Sequence, residues 1–439
     1  MKRTMIELLL LASVTVTGAV AQQINCASSR KLVCEFPFAT GQFANDTALG
    51  ATSNGVSSAQ QLASSIDVGI ATQVSQLPIA SASAGTVEIY KGGIYQTLSN
   101  LGPILTDRAQ TVGRHKFFLG FTAGQFVFTD IDGISLGKLP FGWAASAYVN
   151  NNGTSTLLTN TYTSEDTLLH FKIDQFIAVG TYGITKHFDL SAIVPIEYVS
   201  LSASTYGSSS TVVNANGAVV LGPYSNASTY ASGTASGIGD VIFNGKQTVW
   251  VGGSERATVS AAMNVRVPTG DDLNYLGSGS WGFNPYIVYS YLATVSPHAK
   301  LGYQWNTATE LNPNYVVSPS TGSLTYSGNL HLPGGVQYDV GADWAAAKRL
   351  TIAGDLLGSQ FLNTPRLIPT TTLVSTTSTP IKLNTSVTGN SSYTINNVSA
   401  GFKINPIGNL VLDGNVLFQL NNNGLRSRPT PLIGISYKF

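Results

Sequence analysis

The side chains with the most chemistry to offer are ionisable groups set at alternate positions in otherwise apolar stretches. Lys172, Lys246, Arg256, Arg266, Lys300 and Lys403 recur in this way, against Asp174, Asp189, Glu197, Asp240, Asp339, Asp343, Asp355 and Asp413. Successive side chains of an extended strand point to opposite faces, so these groups fall on polar faces backed by apolar ones. Both signs on one face suit a lining whose charges pair across strands, with no single-sign field to select an ion. The five histidines, His115, His170, His187, His298 and His331, are scattered without metal-ligand spacing. His170 and Asp174 share a strand face, but no neighbouring serine is set up as a nucleophile, so hydrogen bonding in the lining is the simpler role. These patterns predict no catalytic residue, no metal site and no cofactor.

The elements that must carry such a lining read as strands. Alternation bounded by Gly, Pro and Asn predicts strands at about 114–130, 166–184, 187–202, 237–252, 255–269, 280–294, 297–311, 329–345, 348–362, 392–406, 408–422 and 429–439. On 255–269, for example, Ala257, Val259, Ala261, Met263, Val265 and Val267 oppose Arg256, Thr258, Ser260, Asn264 and Arg266. Leu169, Phe171, Ile173, Ile177 and Val179 likewise oppose His170, Lys172 and Asp174. Two strands, 114–130 and 280–294, change phase midway, and Pro195 interrupts another, which predicts bulges at all three. Connections alternate between short turns, as at Thr185-Lys-His187, and long loops, as at 131–165, 203–236, 312–328 and 363–391. Short turns on one rim and long loops on the other are the pattern of a transmembrane barrel. The last stretch, Pro431 to Phe439, puts Ile433, Ile435, Tyr437 and Phe439 on one face, as a closing strand facing lipid would.

Composition agrees. Charged residues make up 10% of the 439, against roughly 25% in soluble proteins. Mean hydropathy is only +0.14, and past the N-terminus no apolar run approaches the ~18 residues of a membrane helix. The net charge of +1, with no basic run, gives nucleic acid no footing. Lys2, Arg3 and the apolar run Leu8–Val20, ending Ala19-Val-Ala21, read as a signal peptide over 1–21. Export favours a local disulfide between the only cysteines, Cys26 and Cys34. Residues 22–113 are rich in Ser, Ala, Gly and Gln and precede the first clear strand; they read as a lumen plug, a periplasmic extension or a disordered linker.

One loop motif is more specific. Arg266-Val-Pro268-Thr269-Gly270-Asp271-Asp272, running on to Gly277-Ser-Gly279, follows Gly237-Ile-Gly-Asp240. This arrangement resembles the bacterial outer-membrane family named for the MetA pathway of phenol degradation, over roughly 235–439 and more weakly over 114–200. The resemblance implies an outer-membrane barrel associated with hydrophobic or aromatic compounds, akin to long-chain fatty-acid transporters. From the residues alone, Asp271 and Asp272 would bond nearby backbone amides in a polar turn, with loose calcium binding as the alternative.

The sequence therefore predicts an all-β, antiparallel up-and-down transmembrane barrel of about twelve strands over 114–439. An N-terminal plug or periplasmic segment over 22–113 precedes it. Its expected lining is Lys172, Asp174, Glu197, Lys246, Arg256, Arg266, Lys300, Asp339, Asp343, Asp355, Lys403 and Asp413. The expected function is passive passage of a small hydrophobic or aromatic solute across a bacterial outer membrane. The expected partners are that solute, outer-membrane lipid and, through Phe439, the barrel-assembly machinery. A structural or adhesive barrel presenting Ser/Thr/Asn-rich loops is one alternative, and an outer-membrane hydrolase a second.

Overall fold

The computed structural model describes residues 24–26, 29, 31–45, 53–75, 87–91, 94–98, 100–151, 154–215, 218–221, 225–253, 255–317, 324–374 and 381–439. The expected leader, 1–21, lies outside them. Twelve antiparallel strands follow one another around a closed cylinder. They are β1 (Phe117–Ile131), β2 (Thr154–Gly183), β3 (Phe188–Ala215), β4 (Ser225–Ile238, resuming as Val241–Val251), β5 (Ala257–Val267) and β6 (Gly282–Tyr291). Then come β7 (Val295–Asn306), β8 (Gly335–Ala347), β9 (Leu350–Val374), β10 (Ile381–Ile404), β11 (Leu410–Gln419) and β12 (Thr430–Lys438). β12 pairs with β1, Tyr437 opposite Leu119 and Ile433 opposite Ala123, which closes the sheet.

Pro195 marks a bulge, as expected. Ile238 pairs with Ile196 but Ile242 with Ile193, so residues 239–241 of β4 span a gap that 194–195 span on β3. Pro195 cannot donate to the ladder, and Gly239 N–H turns to its carbonyl at 2.9 Å. Of the other two expected bulges, β6 shows none, and β1 has its irregularity near its end, where the register against Leu425–Ser427 slips between Asp130 and Phe128. β1 keeps one register with β2 from Phe117 to Phe128, and β6 keeps one register with β5 along its length. The apolar phase changes there because the interior changes. Phe126 and Phe128 point inward onto a filled, apolar upper lumen, and Tyr286 and Val288 pack inward on Ala109.

The long connections are also more ordered than expected. β2 and β3 run for 30 and 28 residues, and β9 and β10 for 25 and 24, so much of 203–236 and 363–391 extends the strands beyond the barrel body. Within 131–165, Leu139–Asn151 pairs with β2, and within 307–334 the strands Ala308–Val317 and Leu324–His331 form a hairpin. These segments are rich in threonine, whose branched Cβ suits a pleated surface, and their polarity had masked the strand pattern.

Residues before β1 enter the cylinder. Helices α1 (Glu35–Asn45) and α2 (Ser53–Val74) fill its hairpin side, tied by the Cys26–Cys34 disulfide just ahead of α1. In the second part of α2, Leu62, Ala63, Ile66, Asp67, Val68, Ile70 and Ala71 are all buried, so this stretch is enclosed on every side. That encirclement leaves no amphipathic stripe to read. None of the described helices is long and apolar enough to cross a membrane.

Outside, Phe243, Met263, Ile287, Leu301, Val340, Ile352, Phe402, Leu412 and Ile435 form an exposed apolar belt. Phe117, Tyr182, Trp344, Tyr437 and Phe439 gird the end that carries the short turns. Met263 lies mid-strand on this belt, while Asn264 beside it faces inward. Met263→Arg should cost about 2–4 kcal/mol of folded stability in the bilayer and abolish the heat-modifiable folded band on gels. Asn264→Lys should still assemble; equal loss in both would mean that the faces of β5 are reversed.

Candidate functional site in the plugged lumen

The lumen is filled in two layers. In the upper layer the plug helices meet the long hairpins. Leu32, Phe36, Leu62, Ile66 and Ile70 share one apolar cluster with Phe126, Phe128, Phe141, Phe171 and Tyr275 from the wall. Phe128 and Phe171 stack at 5.1 Å, and Phe171 meets Tyr275 edge-on at 5.9 Å.

The lower layer is polar. Residues 100–112 cross the lumen toward the short-turn end, bonding to inward side chains on one strand after another. Asn100 Nδ2 donates to Ser296 Oγ at 2.9 Å, and Leu101 N–H to Thr351 Oγ1 at 3.0 Å. Lys403 Nζ donates to Pro103 O at 2.5 Å. Thr106 Oγ1 lies 2.7 Å from His298 Nε2, which itself is 2.8 Å from Asp355 Oδ1. Asp107 receives Lys246 Nζ at 3.1 Å and Tyr286 OH at 2.8 Å, and Arg108 lies 3.9 Å from Asp343. Ser260 Oγ donates to Ala109 O at 2.5 Å, and Val112 N–H to Asp189 Oδ2 at 2.7 Å. Burial draws the Arg108 guanidinium below its usual range, and the carboxylates of Asp343 and then Asp107 draw it back up.

Between the layers lies a cavity of about 200 Å³, bounded by Gln73 and Ser75 above and by Leu105, Thr106 and Asp107 below. Its wall is rich in carboxamides, Asn244, Asn264, Asn284, Gln304, Gln337 and Asn397 among them, with Tyr286, Arg266, Lys300 and Asp339. Ile193, Ile242, Leu357 and Ile395 add aliphatic patches.

Of the charges expected in the lining, Glu197, Lys246, Arg266, Lys300, Asp339, Asp343, Asp355, Lys403 and Asp413 face inward. Most are paired: Lys300 with Asp339 at 3.0 Å, Arg266 with Asp240 at 3.6 Å, and Lys403 opposite Asp413 in register. Arg256 sits in the turn before β5, outside the strand. Lys172 and Asp174 are a correction, because they lie on the outer face. They pair with each other at 2.7 Å, and Gln125 donates to Asp174 at 2.6 Å. On this part of β2 it is Leu169, Phe171 and Ile173 that point inward, against the plug helices. Polarity inverts with height because the outside is water there and the inside is apolar protein. His170 is exposed on that outer face and has no part in the lumen. The residues missed were His298 and the plug's own Asn100, Thr106, Asp107 and Arg108. For the plug residues, the adjacent charges of Asp107-Arg108 in a charge-poor N-terminal segment were the signal available.

The loop motif does structural work. Asp240 accepts from Ser278 N–H at 2.7 Å, Ser278 Oγ at 2.6 Å and Gly270 N–H at 3.2 Å. Thr269 Oγ1 donates to Gly239 O at 2.7 Å, which ties the Pro268 turn to the β4 bulge. The loop so held then grips the plug. Lys31 bonds Asp271 at 2.5 Å, Leu32 N–H donates to Asn274 Oδ1 at 3.1 Å, and Tyr275 OH donates to Asp67 of α2. Asp272 accepts only from Leu273 N–H among the bonds described, at 3.0 Å. Burial, then the nearby Glu310 carboxylate, pushes Asp272 up to about 6.

A closed cylinder with an apolar belt, aromatic girdles and a charged, plugged interior defines a transmembrane β-barrel of the bacterial outer membrane. The hairpin side is extracellular and the short-turn side periplasmic. The chain belongs to the family of the MetA-pathway of phenol degradation, whose profile matches residues 145–424. Similar solved structures include an outer membrane channel from Pseudomonas putida F1, 12% identical over 75% of this chain and 98% of that one, with a TM-score of 0.40. The Ralstonia pickettii toluene transporter TbuX is 9% identical over 74% and 89%, TM-score 0.34, and a Pseudomonas aeruginosa FadL homologue is 10% identical over 74% and 89%, TM-score 0.31. No curated protein sequence matches the chain.

The shift at Asp272 has a sign. Its carboxylate ionises less readily in the folded loop than in an unfolded chain, so stability falls as pH rises from 3.8 to about 6 and is level above. Asp272→Asn should therefore raise the temperature at which the folded band disappears at pH 8. It should also flatten the gain in that temperature seen on acidifying the parent protein to pH 5. An unchanged pH profile would mean that the side chain is hydrated.

Proposed function

We propose that the protein is an outer-membrane channel for passive passage of small hydrophobic or aromatic molecules, with residues 22–113 acting as a plug that must shift for passage. The observation that carries this reading is the cavity between two plug layers, set among charges of both signs that pair within the wall, as Lys300 with Asp339 and Arg266 with Asp240, or with the plug, as Lys246 with Asp107. A cavity of about 200 Å³ is the size for a single-ring molecule, since one of ~150 Å³ takes up benzene. Paired charges leave no single-sign field, so ion selectivity should be slight. Family membership adds the association with phenol degradation. The hydroxyl beside His298 is that of Thr106, at 2.7 Å, but it meets the same ring nitrogen, Nε2, as Asp355, so the imidazole is not set between acid and hydroxyl as a nucleophilic triad requires, which favours transport over hydrolysis.

The plug controls the path. In planar bilayers the intact protein should give small, infrequent conductance, and a variant lacking residues 22–113 should give larger, steadier conductance with little preference for anions or cations. Equal conductance of the two would remove the plug from the mechanism. Absence of both conductance and solute flux in proteoliposomes would support the structural or adhesive reading instead.

A further inference from the structure

We infer that the short-turn rim binds the headgroup of an anionic phospholipid of the periplasmic leaflet, held by Arg114 and Lys186 beside Tyr182. The inference rests on the orientation of the barrel in its membrane and stands whether or not the lumen conducts.

The net charge of the chain is only +1, yet its basic groups are unevenly placed. The connections at the short-turn end carry Arg114, Lys186, Arg256, Lys348 and Arg349, with Lys116 and Lys438 at the strand ends beside them. Glu255 is the only acidic side chain among the described residues of those connections. At the hairpin end, by contrast, Lys138, Lys172 and Arg366 are each met by an aspartate, at 3.6, 2.7 and 2.8 Å. Arg114, Lys186, Lys348 and Arg349 are exposed, and neither they nor Arg256 make an ion pair with any described residue. A rim of one sign with so little counter-charge attracts anions.

The aromatic girdle at the same level is what makes that anion a lipid. Phe117, Tyr182, Trp344 and Tyr437 are exposed within a few residues of these connections, and rings of this kind settle among headgroups. Arg114 is tied to the girdle. Its Nε donates to His115 Nε2 at 3.1 Å, and His115 Nδ1 lies 3.0 Å from Tyr182 OH. An imidazole that accepts at Nε2 carries its proton on Nδ1, so it donates to the phenol oxygen and leaves the phenol hydrogen to be given elsewhere. Residues 111–115 run along the β2–β3 turn: Thr111 Oγ1 donates to Lys186 O at 2.7 Å and His115 N–H to Gly183 O at 2.7 Å, which brings Lys186 to the same stretch of rim. With its Nε engaged, the Arg114 guanidinium keeps its terminal nitrogens for a phosphate, and the Lys186 ammonium adds a second charge. No acid on this stretch would meet the ammonium of a zwitterionic headgroup, so the fit is to a headgroup of net negative charge.

The test is a lipid titration of the folded protein in detergent micelles, read by native mass spectrometry as retained lipid. Phosphatidylglycerol and phosphatidylcholine with the same acyl chains are compared, with a soluble polyglutamate peptide as a further probe. Phosphatidylglycerol should bind roughly tenfold more tightly than phosphatidylcholine, and its advantage should shrink as salt is raised. Arg114→Gln combined with Lys186→Gln should weaken phosphatidylglycerol binding about 25-fold, roughly fivefold for each basic group removed from a headgroup surface, and leave phosphatidylcholine unchanged. Lys382→Gln combined with Arg428→Gln removes the same charge from exposed positions at the hairpin end and should change neither. If the rim pair lacks the heat-modifiable band, each single substitution serves, with a loss of roughly fivefold. Equal affinity of the parent protein for the two lipids, or equal losses from the rim pair and the hairpin pair, would overturn the site. Polyglutamate binding tighter than phosphatidylglycerol and lost in the rim pair would overturn it too, and would give the rim to an acidic protein.

Discussion

A strand in a bilayer has no water to satisfy its peptide groups, so every N–H and C=O must find a partner on a neighbouring strand. All else in this molecule depends on that constraint. It forces the sheet to close, which brings β12 onto β1 and leaves Phe439 at the seam, its backbone bonded to Phe117. Closure in turn creates an interior that no second sheet can fill. A twelve-strand cylinder is wider than the eight-strand kind that side chains alone can pack, so the chain fills its own lumen with α1, α2 and residues 100–112. An irregularity of the wall near the cavity, where β4 steps past Pro195, is where the ladder leaves Gly239 and Asp240 free to bind the Pro268 loop.

The strands were legible because their alternation is a property of the backbone and the bilayer together. β5 sees lipid on one side and a polar lumen on the other, so its sequence separates cleanly. β2 crosses two environments, and there the same rule misassigned Lys172 and Asp174. Along that strand Lys172 and Asp174 are polar on the outer face opposite an apolar interior, whereas toward its base Gln175 and Thr181 are polar and buried. Alternation reports that two faces differ; which face is inside depends on what fills the lumen at that height. The plug was the part least open to reading. From Leu62 on, α2 is buried around its circumference, so that stretch has no amphipathic stripe, and residues 100–112 are irregular, bent at 104–106 and 109–110 and held by bonds to side chains up to 300 positions away.

The two layers of the plug resist displacement for different reasons. The upper one is an apolar cluster in which Leu32, Phe36 and Ile66 interdigitate with Phe128, Phe171 and Tyr275, braced by the disulfide and by the grip of the Pro268 loop on Lys31, Leu32 and Asp67. Moving it would expose that surface to water at ~25 cal/mol per Å². The lower layer is bound by hydrogen bonds and ion pairs, whose net worth is only about 0.5–1.5 kcal/mol each where water can replace them. Asp107 and Arg108 sit in it as adjacent opposite charges, matched to Lys246 and Asp343 on the wall. If these residues withdrew, Lys246, Asp343, Asp355 and Lys403 would be left facing a wet lumen and would need solvent at once. On the proposed channel reading, opening is tied to hydration of the lower layer. The motion that costs least is a local rearrangement of residues 100–112 with water entering beside them, while the helices stay clasped to the wall above.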